Sequence, residues 1–259
     1  MNERDTLIAY FAPRDLKLSK SLILRLGYDV LELRYLPHDI AWKILKGFIE
    51  RINYEYILIV VDDVIVYRDN IELMKEAHEE LGDKVISALM PLGMGLSGAR
   101  IWFSVTDKVL TRRPLRYADY ELWDIRKVEA KLRKGRYHKV FYTGFGFTLI
   151  PRKVLEILPC EGMARYPSRV FGYFIRRPMQ IDVRHSIELW RHGIEHYVDL
   201  MNVVNHLGNL RDLVPTGLVE PKVIFYERGT NIYDITNLFP IDDMIKRILV
   251  RGTYRGVTQ

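Results

Sequence analysis

Two hydrophobic periodicities alternate along the first third of this chain. Thr6 to Phe11 is a short apolar run closed by Pro13 and reads as a buried strand. Leu16 to Leu26 has helical spacing and stops at Gly27, and Val30 to Leu36 reads as a second strand. From His38 to Ile52, apolar residues at 40, 44, 45, 48, 49 and 52 fall on one helix face. Tyr56 to Val61 is a third strand. A helix follows from Asp69, which with Glu72 forms a capping box, and Val85 to Met90 is a fourth strand. This strand–helix order predicts an α/β protein with a mostly parallel central sheet flanked by helices.

Beyond Met90 the pattern loosens. Pro91 to Arg100 reads as a flexible loop, without the Gly-Lys-Ser/Thr of a phosphate-cradling loop. Ile101 to Val109 and Val140 to Ile150 read as strands, and Asp124 to Lys134 as a charged helix ended by Gly135. Pro151 suits the first position of another helix. Ala164 to Pro178 reads as a basic, aromatic loop. Asp182 to His192 is a helix with Val183, Ile187 and Trp190 as its inward stripe, ended by Gly193, and Glu195 to Asn205 is a last core strand. A hairpin over Lys222 to Thr236 and a basic amphipathic helix over Asp242 to Arg251 complete the chain. The economical division is one domain over 1–208 with a C-terminal extension over 209–259. The extension packs on the domain or on a partner subunit, as in a homo-oligomer.

Composition narrows the class. The chain has 259 residues and a formal charge of +6. Its length supports a substantial core, and its basic balance either favours polyanionic partners such as nucleotides, nucleic acid or an anionic membrane face, or is a solubility feature alone. Cys160 is the single cysteine, which excludes an internal disulfide and a thiolate metal cluster. No run spans a bilayer, and the first ten residues lack a signal-peptide pattern, so a cytoplasmic protein is expected. Its terminal helix, carrying Lys246, Arg247 and Arg251, is a candidate for peripheral membrane contact. Only Gln180 and Gln259 are glutamines, while Lys, Arg, Glu and Tyr abound, a composition of thermophilic type.

The most pointed chemistry is Asp62-Asp63, which follows a Val/Ile-rich strand. Carboxylates avoid the inside of such a strand unless paired. At its carboxyl end they would lie where open α/β sheets bind ligands. Hard oxygens suit Mg²⁺ or Mn²⁺ when a diphosphate supplies further oxygens. The plain alternative is a strand-end turn with the side chains bonded to local N–H groups. Asp182, read alone, is a helix N-cap, and His206, just past a strand, is a hydrogen-bonded structural residue. By topology, the nucleotide belongs at Phe11, Pro13 and Arg14 after the first strand and at Arg34 after the second.

Three stretches taken in order resemble GT-A fold glycosyltransferases, family 2 in particular, over roughly residues 5–210. Ile57 to Leu73 (ILIVVDDVIVYRDNIEL) matches the Asp-x-Asp segment. Tyr142 to Leu158 (YTGFGFTLIPRKVLEIL) is similar to a Gly-rich strand running into a helix. Ile181 to Gly208 (IDVRHSIELWRHGIEHYVDLMNVVNHLG) resembles the helix that carries the catalytic Asp and the closing His-x-Gly. Val61 stands at the first Asp of the motif, Ile181 stands at the Glu before the catalytic Asp, and residues 33–37 replace an Asp-Gly-Ser-type segment.

The resemblance implies metal-dependent transfer of a sugar from a UDP- or GDP-type donor to a carbohydrate, lipid-linked or protein acceptor. It places Asp63 and His206 on Mn²⁺ or Mg²⁺, and Asp62 on the donor through ribose or a metal-bound water. Asp182 becomes the base of an inverting reaction, and Gly144 and Phe145 lie on the acceptor side. The basic segment 164–178, with Arg165, Arg169, Arg176 and Arg177 among Tyr166, Phe171 and Tyr173, reads as a lid or as a solvated loop. Trp102 and Tyr142 are further acceptor candidates or core residues. Two other functions fit the chain: a non-catalytic, nucleic-acid-binding relative on a decayed scaffold, and a sugar-1-phosphate nucleotidyltransferase.

Overall fold

The computed structural model describes residues 3–94, 101–108, 122–161, 164–170, 173–179, 181–207 and 220–244. In chain order, β1 (Thr6–Ala12), α1 (Lys17–Leu24), β2 (Asp29–Arg34), α2 (His38–Ile49), β3 (Tyr56–Val61) and β4 (Val64–Ile65) come first. Next are α3 (Arg68–Leu81), β5 (Val85–Leu89), β6 (Pro91–Met94), β7 (Ile101–Phe103), β8 (Val105–Thr106), β9 (Trp123–Asp124) and α4 (Ile125–Leu132). They are followed by β10 (Tyr137–Val140), β11 (Tyr142–Thr143), β12 (Phe147–Pro151), α5 (Arg152–Ile157) and the pair β13 (Ala164–Val170) and β14 (Tyr173–Met179). Last come α6 (Ile181–Arg191), β15 (His196–Val203), β16 (Asn205–His206), β17 (Lys222–Glu227) and β18 (Asn231–Asp234).

Nine strands form the central sheet in the order β10-β15-β5-β12-β3-β1-β2-β17-β18. β1 pairs in parallel with both β2 and β3, and β5 with β15, whereas β12 is antiparallel to both β3 and β5. Strands β10 and β17 are likewise reversed. The expected α/β sheet is therefore present, with reversed strands inserted. Pairing of β3 with β5 through β12 was not readable from the first-half pattern, because a late strand fills the gap.

Every residue of β1 is buried, and alternate side chains serve opposite faces. Leu7, Ala9 and Phe11 join α2 and α5 in one core cluster. Ile8, Tyr10 and Ala12 join α1 and α3 in the other. Helices thus cover both faces. The chain steps from β1 to β2 on one side and returns to β3 on the other, so the strand order reverses at β1. A crevice at the carboxyl ends of the strands is the ligand site such a reversal creates.

Several local expectations are corrected. The N-cap of α3 is Tyr67, and the N3 side chain that closes its capping box is Asn70, which accepts the Tyr67 N–H at 3.0 Å, while Asp69 is exposed. The run Val140 to Ile150 is broken into β10, β11 and β12. Gly144 and Gly146 pass so close to Met90 that a Cβ would sit 2.3 Å from its Cε and 2.7 Å from its Sδ, respectively. Residues 164–170 and 173–179 pair as a two-stranded ribbon, not a loop, and Phe171 lies outside the described residues. Pro91 to Met94 is strand, and the rest of that expected loop lies outside the described residues. Trp190 is 52% exposed, so the inward stripe of α6 is Val183, His185, Ser186 and Leu189. The expected hairpin is β17–β18, joined to β2 as the sheet's far edge. The terminal helix beyond residue 244 lies outside the described residues. No helix of the described residues is long and apolar enough to cross a membrane.

Candidate functional site

Backbone pairing assembles the site. The Asp62 N–H donates to Phe11 O at 2.9 Å, which sets the end of β3 against the end of β1. β16 pairs antiparallel with β4, and the Leu207 N–H donates to Asp63 O at 2.7 Å. That short ladder carries His206 to Asp63 although 143 positions separate them. Arg14, two residues past β1, reaches the same place from the loop that opens α1.

Asp62 is fully buried. Its Oδ2 accepts the Arg14 backbone N–H at 2.7 Å. Its Oδ1 accepts Arg14 Nε at 2.9 Å and also bonds Nη2. Asp63 is partly exposed, with Oδ2 3.0 Å from Arg14 Nη2 and 3.2 Å from His206 Nε2. Burial pushes the Asp62 carboxyl up, against the pull of Arg14. Burial also pushes Asp63 up, but hydrogen bonding to His206 and Arg14 outweighs it and holds that carboxyl at about 2. In this arrangement Asp62 acts through Arg14, while Asp63 Oδ1 lies outside the ion pairs among the described residues.

The donor set bears directly on the expected Mn²⁺ or Mg²⁺. The His206 Nδ1–H donates to Pro91 O at 3.0 Å, so Nε2 is the atom that meets Asp63 Oδ2: it donates there when the ring carries a second proton and offers a lone pair to a cation when it does not. Two acceptors facing each other at 3.2 Å call for a proton or a cation between them. Metal bonds of about 2.1 Å place neighbouring octahedral ligands about 3 Å apart. A metal-ligating histidine commonly donates its other N–H to a carbonyl, as His206 does. Asp63 and His206 therefore fit a two-ligand site whose remaining positions fall to phosphate oxygens and water. Among the described residues no group of three or more His, Cys, Asp or Glu could hold a metal by itself.

Asp182 lies in the first turn of α6, its second residue rather than its cap. The Tyr142 hydroxyl donates to its Oδ2 at 2.8 Å, the Val183 N–H donates to Oδ1 at 2.9 Å, and Ser104 Oγ lies 3.1 Å from the Tyr142 hydroxyl. Dense packing pushes the carboxyl up, only partly offset by Tyr142 and the backbone donors. The two halves are linked through β6 and its neighbours: His206 bonds Pro91 O, and the Ser104 N–H donates to Met90 O at 2.9 Å. The Gly144 N–H donates to Ser104 O at 2.9 Å, and a Cβ there would lie 2.8 Å from Ser104 Oγ. Gly144 is thus the close neighbour of the Ser104–Tyr142 pair. Phe145 is buried, its ring 5.3 Å from that of His185 and 5.5 Å from that of His196. Trp102 is 38% exposed on β7.

Phe11 is buried against Trp42, with ring centroids 5.3 Å apart, and Pro13 is partly exposed at the end of β1. Arg34 belongs to a second charged cluster at the same sheet edge, which the sequence reading missed. There Glu32, fully buried, accepts Arg34 Nη2 at 2.8 Å, Tyr226 OH at 2.8 Å and Lys20 Nζ at 3.2 Å, while Lys20 also reaches Asp15 at 2.7 Å. A carboxylate inside the apolar β2 run was its signal, the same signal that exposed Asp62. Asp15 and Tyr35, non-glycine residues at φ 53° and 54°, flank this cluster. Backbone in that region is uncommon and collects at ligand-binding edges.

No protein-family model matches the chain, and no curated protein matches it. Among solved structures it is similar to A197 from STIV, at 15% identity, TM-score 0.42, covering 88% of this chain and 93% of that one. It is also similar to CMP:2-keto-3-deoxy-manno-octonic acid synthetase complexed with CTP, at 13% identity, TM-score 0.39, covering 74% of this chain and 88% of that one.

Proposed function

We propose that this protein is a glycosyltransferase that takes a sugar from a nucleoside diphosphate carrier and passes it to an acceptor hydroxyl. The observation that carries the reading is the meeting of Asp63 and His206 at 3.2 Å across 143 residues of chain, at the carboxyl edge where the strand order reverses. Arg14 and the Asp15–Lys20–Arg34 cluster on the same edge receive the UDP- or GDP-type moiety. Asp63 and His206 would hold the Mn²⁺ or Mg²⁺. When bound, such an ion supplies Lewis-acid stabilisation of the departing diphosphate, commonly worth several kcal/mol.

Asp182 takes the proton of the attacking acceptor hydroxyl at its carboxylate, on the far side of the Met90–Ser104 connection from Asp63. Tyr142 orients that carboxylate and favours its ionised form by donating to Oδ2, against the upward push of burial. General-base assistance of this kind contributes roughly 10²–10⁴-fold. Attack opposite the diphosphate inverts the anomeric centre. The acceptor is a carbohydrate, a lipid-linked saccharide or a protein side chain.

The test is calorimetric titration with UDP-, GDP- and dTDP-sugars, with and without Mn²⁺, followed by product analysis. Mn²⁺-dependent binding of one donor that is lost in Asp63→Asn is expected. Turnover unchanged in Asp182→Asn removes Asp182 from the base role, and pyrophosphate release from a nucleoside triphosphate would replace the reading with nucleotidyl transfer.

A further inference from the structure

Arg14 is held by its two aspartates in unequal ways. On Asp62 it has three contacts: the backbone N–H on Oδ2 at 2.7 Å, Nε on Oδ1 at 2.9 Å, and Nη2 on Oδ1. Asp62 is fully buried, and each of its oxygens is taken by Arg14. On Asp63 there is one contact, Nη2 to Oδ2 at 3.0 Å, and that same oxygen faces His206 Nε2 at 3.2 Å. The Nη1 group of Arg14 has no hydrogen-bond partner among the described residues.

We propose that Arg14 is a partner-switching residue: its guanidinium neutralises Asp63 until a divalent ion claims that carboxylate, and its freed donors then bind the diphosphate, so that ion and diphosphate enter together. This deepens the transferase reading and rests on it in placing a diphosphate at this edge.

The argument is one of charge and anchoring. An ion bound by Asp63 Oδ2 and His206 Nε2 takes the oxygen that Nη2 occupies, and two cations cannot share it at short range without repulsion. The single Asp63 contact yields, while the buried Asp62 anchor stays, because stripping a partner from a fully buried carboxylate costs far more. Arg14 therefore keeps its guanidinium at the sheet edge on the Asp62 anchor, with Nη1 and the second N–H of Nη2 turned to a new partner. The planar fork suits phosphate oxygens, which accept two parallel N–H donors. With ion and switched guanidinium both present, the site carries the positive charge a diphosphate needs. With neither change made, the aspartates leave it negative. Arg14 is thus a competitor of the free ion and an ally of the ion–diphosphate pair.

The test reads Mn²⁺ binding to the full chain by electron paramagnetic resonance of the free ion, first without nucleotide and then with UDP, corrected for the Mn²⁺–UDP complex in solution. Arg14→Gln should bind Mn²⁺ alone roughly ten- to a hundredfold tighter than the wild type, the worth of one charged hydrogen bond removed from competition. Asp63→Asn should abolish that binding in both backgrounds. UDP should raise Mn²⁺ affinity in the wild type and raise it less in Arg14→Gln. If Arg14→Gln fails to fold, Arg14→Lys decides: one ammonium can stay on Asp62 and release Asp63, and the same tightening is expected. The proposal is overturned if neither variant binds Mn²⁺ more tightly than the wild type, if the tightening survives Asp63→Asn, or if UDP leaves wild-type Mn²⁺ affinity unchanged. Intact coupling of UDP and Mn²⁺ with no transfer from any nucleotide sugar sinks the transferase reading alone.

Discussion

Tyr142→Phe tests the carboxylate assigned to base catalysis without needing a substrate. The Tyr142 ring is buried, so phenylalanine fills the same space and only the hydroxyl is lost. That hydroxyl donates to Asp182 Oδ2 at 2.8 Å, which leaves Ser104 Oγ as the donor in the 3.1 Å contact behind it. A hydrogen bond to an ionised group is worth about 1.5–3 kcal/mol, and one between neutral groups about 0.5–1.5 kcal/mol. Asp182 is raised above its ordinary value, chiefly by burial, so the native chain keeps its proton over a pH window in which the unfolded chain has released it. Stability consequently falls as pH rises through that window. Removing the Tyr142 donor extends the window upward. The cost of the substitution should be about 1.5–3 kcal/mol at pH 7 and should shrink to about 0.5–1.5 kcal/mol at pH 4. Urea unfolding of both proteins at the two pH values measures the difference, and ¹³C resonances of the aspartate carboxyls show Asp182 titrating at higher pH in the variant. Ser104→Ala, which spares the Tyr142–Asp182 bond, should show less pH dependence. A Tyr142→Phe cost that is the same at pH 4 and pH 7 refutes an ionised Asp182.

Other outcomes follow from the same geometry. His185 and His196 are buried, and burial holds both imidazoles down at about 3. The unfolded chain binds their protons first, so stability should fall with decreasing pH below about 6.5, by about 1.4 kcal/mol per pH unit for each ring, and level off near 3. Urea midpoints of His185→Gln/His196→Gln that keep the wild-type acid dependence would contradict this. Gly229 has φ 71°, and a Cβ there would lie 2.0 Å from Leu24 O. Gly229→Ala should cost about 1–3 kcal/mol from the backbone alone, plus the clash, read as a lowered melting temperature, and a neutral result would displace the β17–β18 turn from α1. Glu32→Ala strips the shared partner from Lys20, Arg34 and Tyr226 and should destabilise by about 3–5 kcal/mol, checked by chemical denaturation, with a loss under about 1 kcal/mol counting against a cooperative cluster.

What could be read in the chain beforehand was whatever a local period or a turn residue encodes. β1, β2, β3, α2 and β15 fall within a few residues of their expected places because each carries its own apolar pattern. The insertion of β12 between β3 and β5 did not show, since strand neighbours are chosen by long-range packing and no residue spacing records them. The break at Gly144–Gly146 was hidden for a related reason. The glycines look like strand weak points until Met90 and Ser104 are seen filling the space a side chain would need. The ribbon β13–β14 was hidden by composition, as its arginines and prolines resemble a loop while its pairing is set between its own two strands. At the site, Asp62, Asp63, Arg14 and His206 were each named from the sequence, yet their mutual pairing was not, because a charge run says nothing about which partner reaches it.

The doublet Asp62-Asp63 shows how neighbouring identical residues acquire different chemistry. The two residues form the turn between β3 and β4, and the turn buries Asp62 while leaving Asp63 partly exposed. One aspartate is therefore sent under the sheet edge and the other toward the crevice. The inward one, Asp62, cannot stay buried without a cation, and Arg14 meets that need with three contacts that also pin the loop opening α1. The outward one, Asp63, then finds the same guanidinium and the imidazole of His206 within reach. Burial of the first carboxylate thus positions the cation that competes for the second. A substitution at Asp62, which touches no ligand in this arrangement, should alter ion binding at Asp63 by releasing Arg14, and a purely structural aspartate would leave that binding untouched.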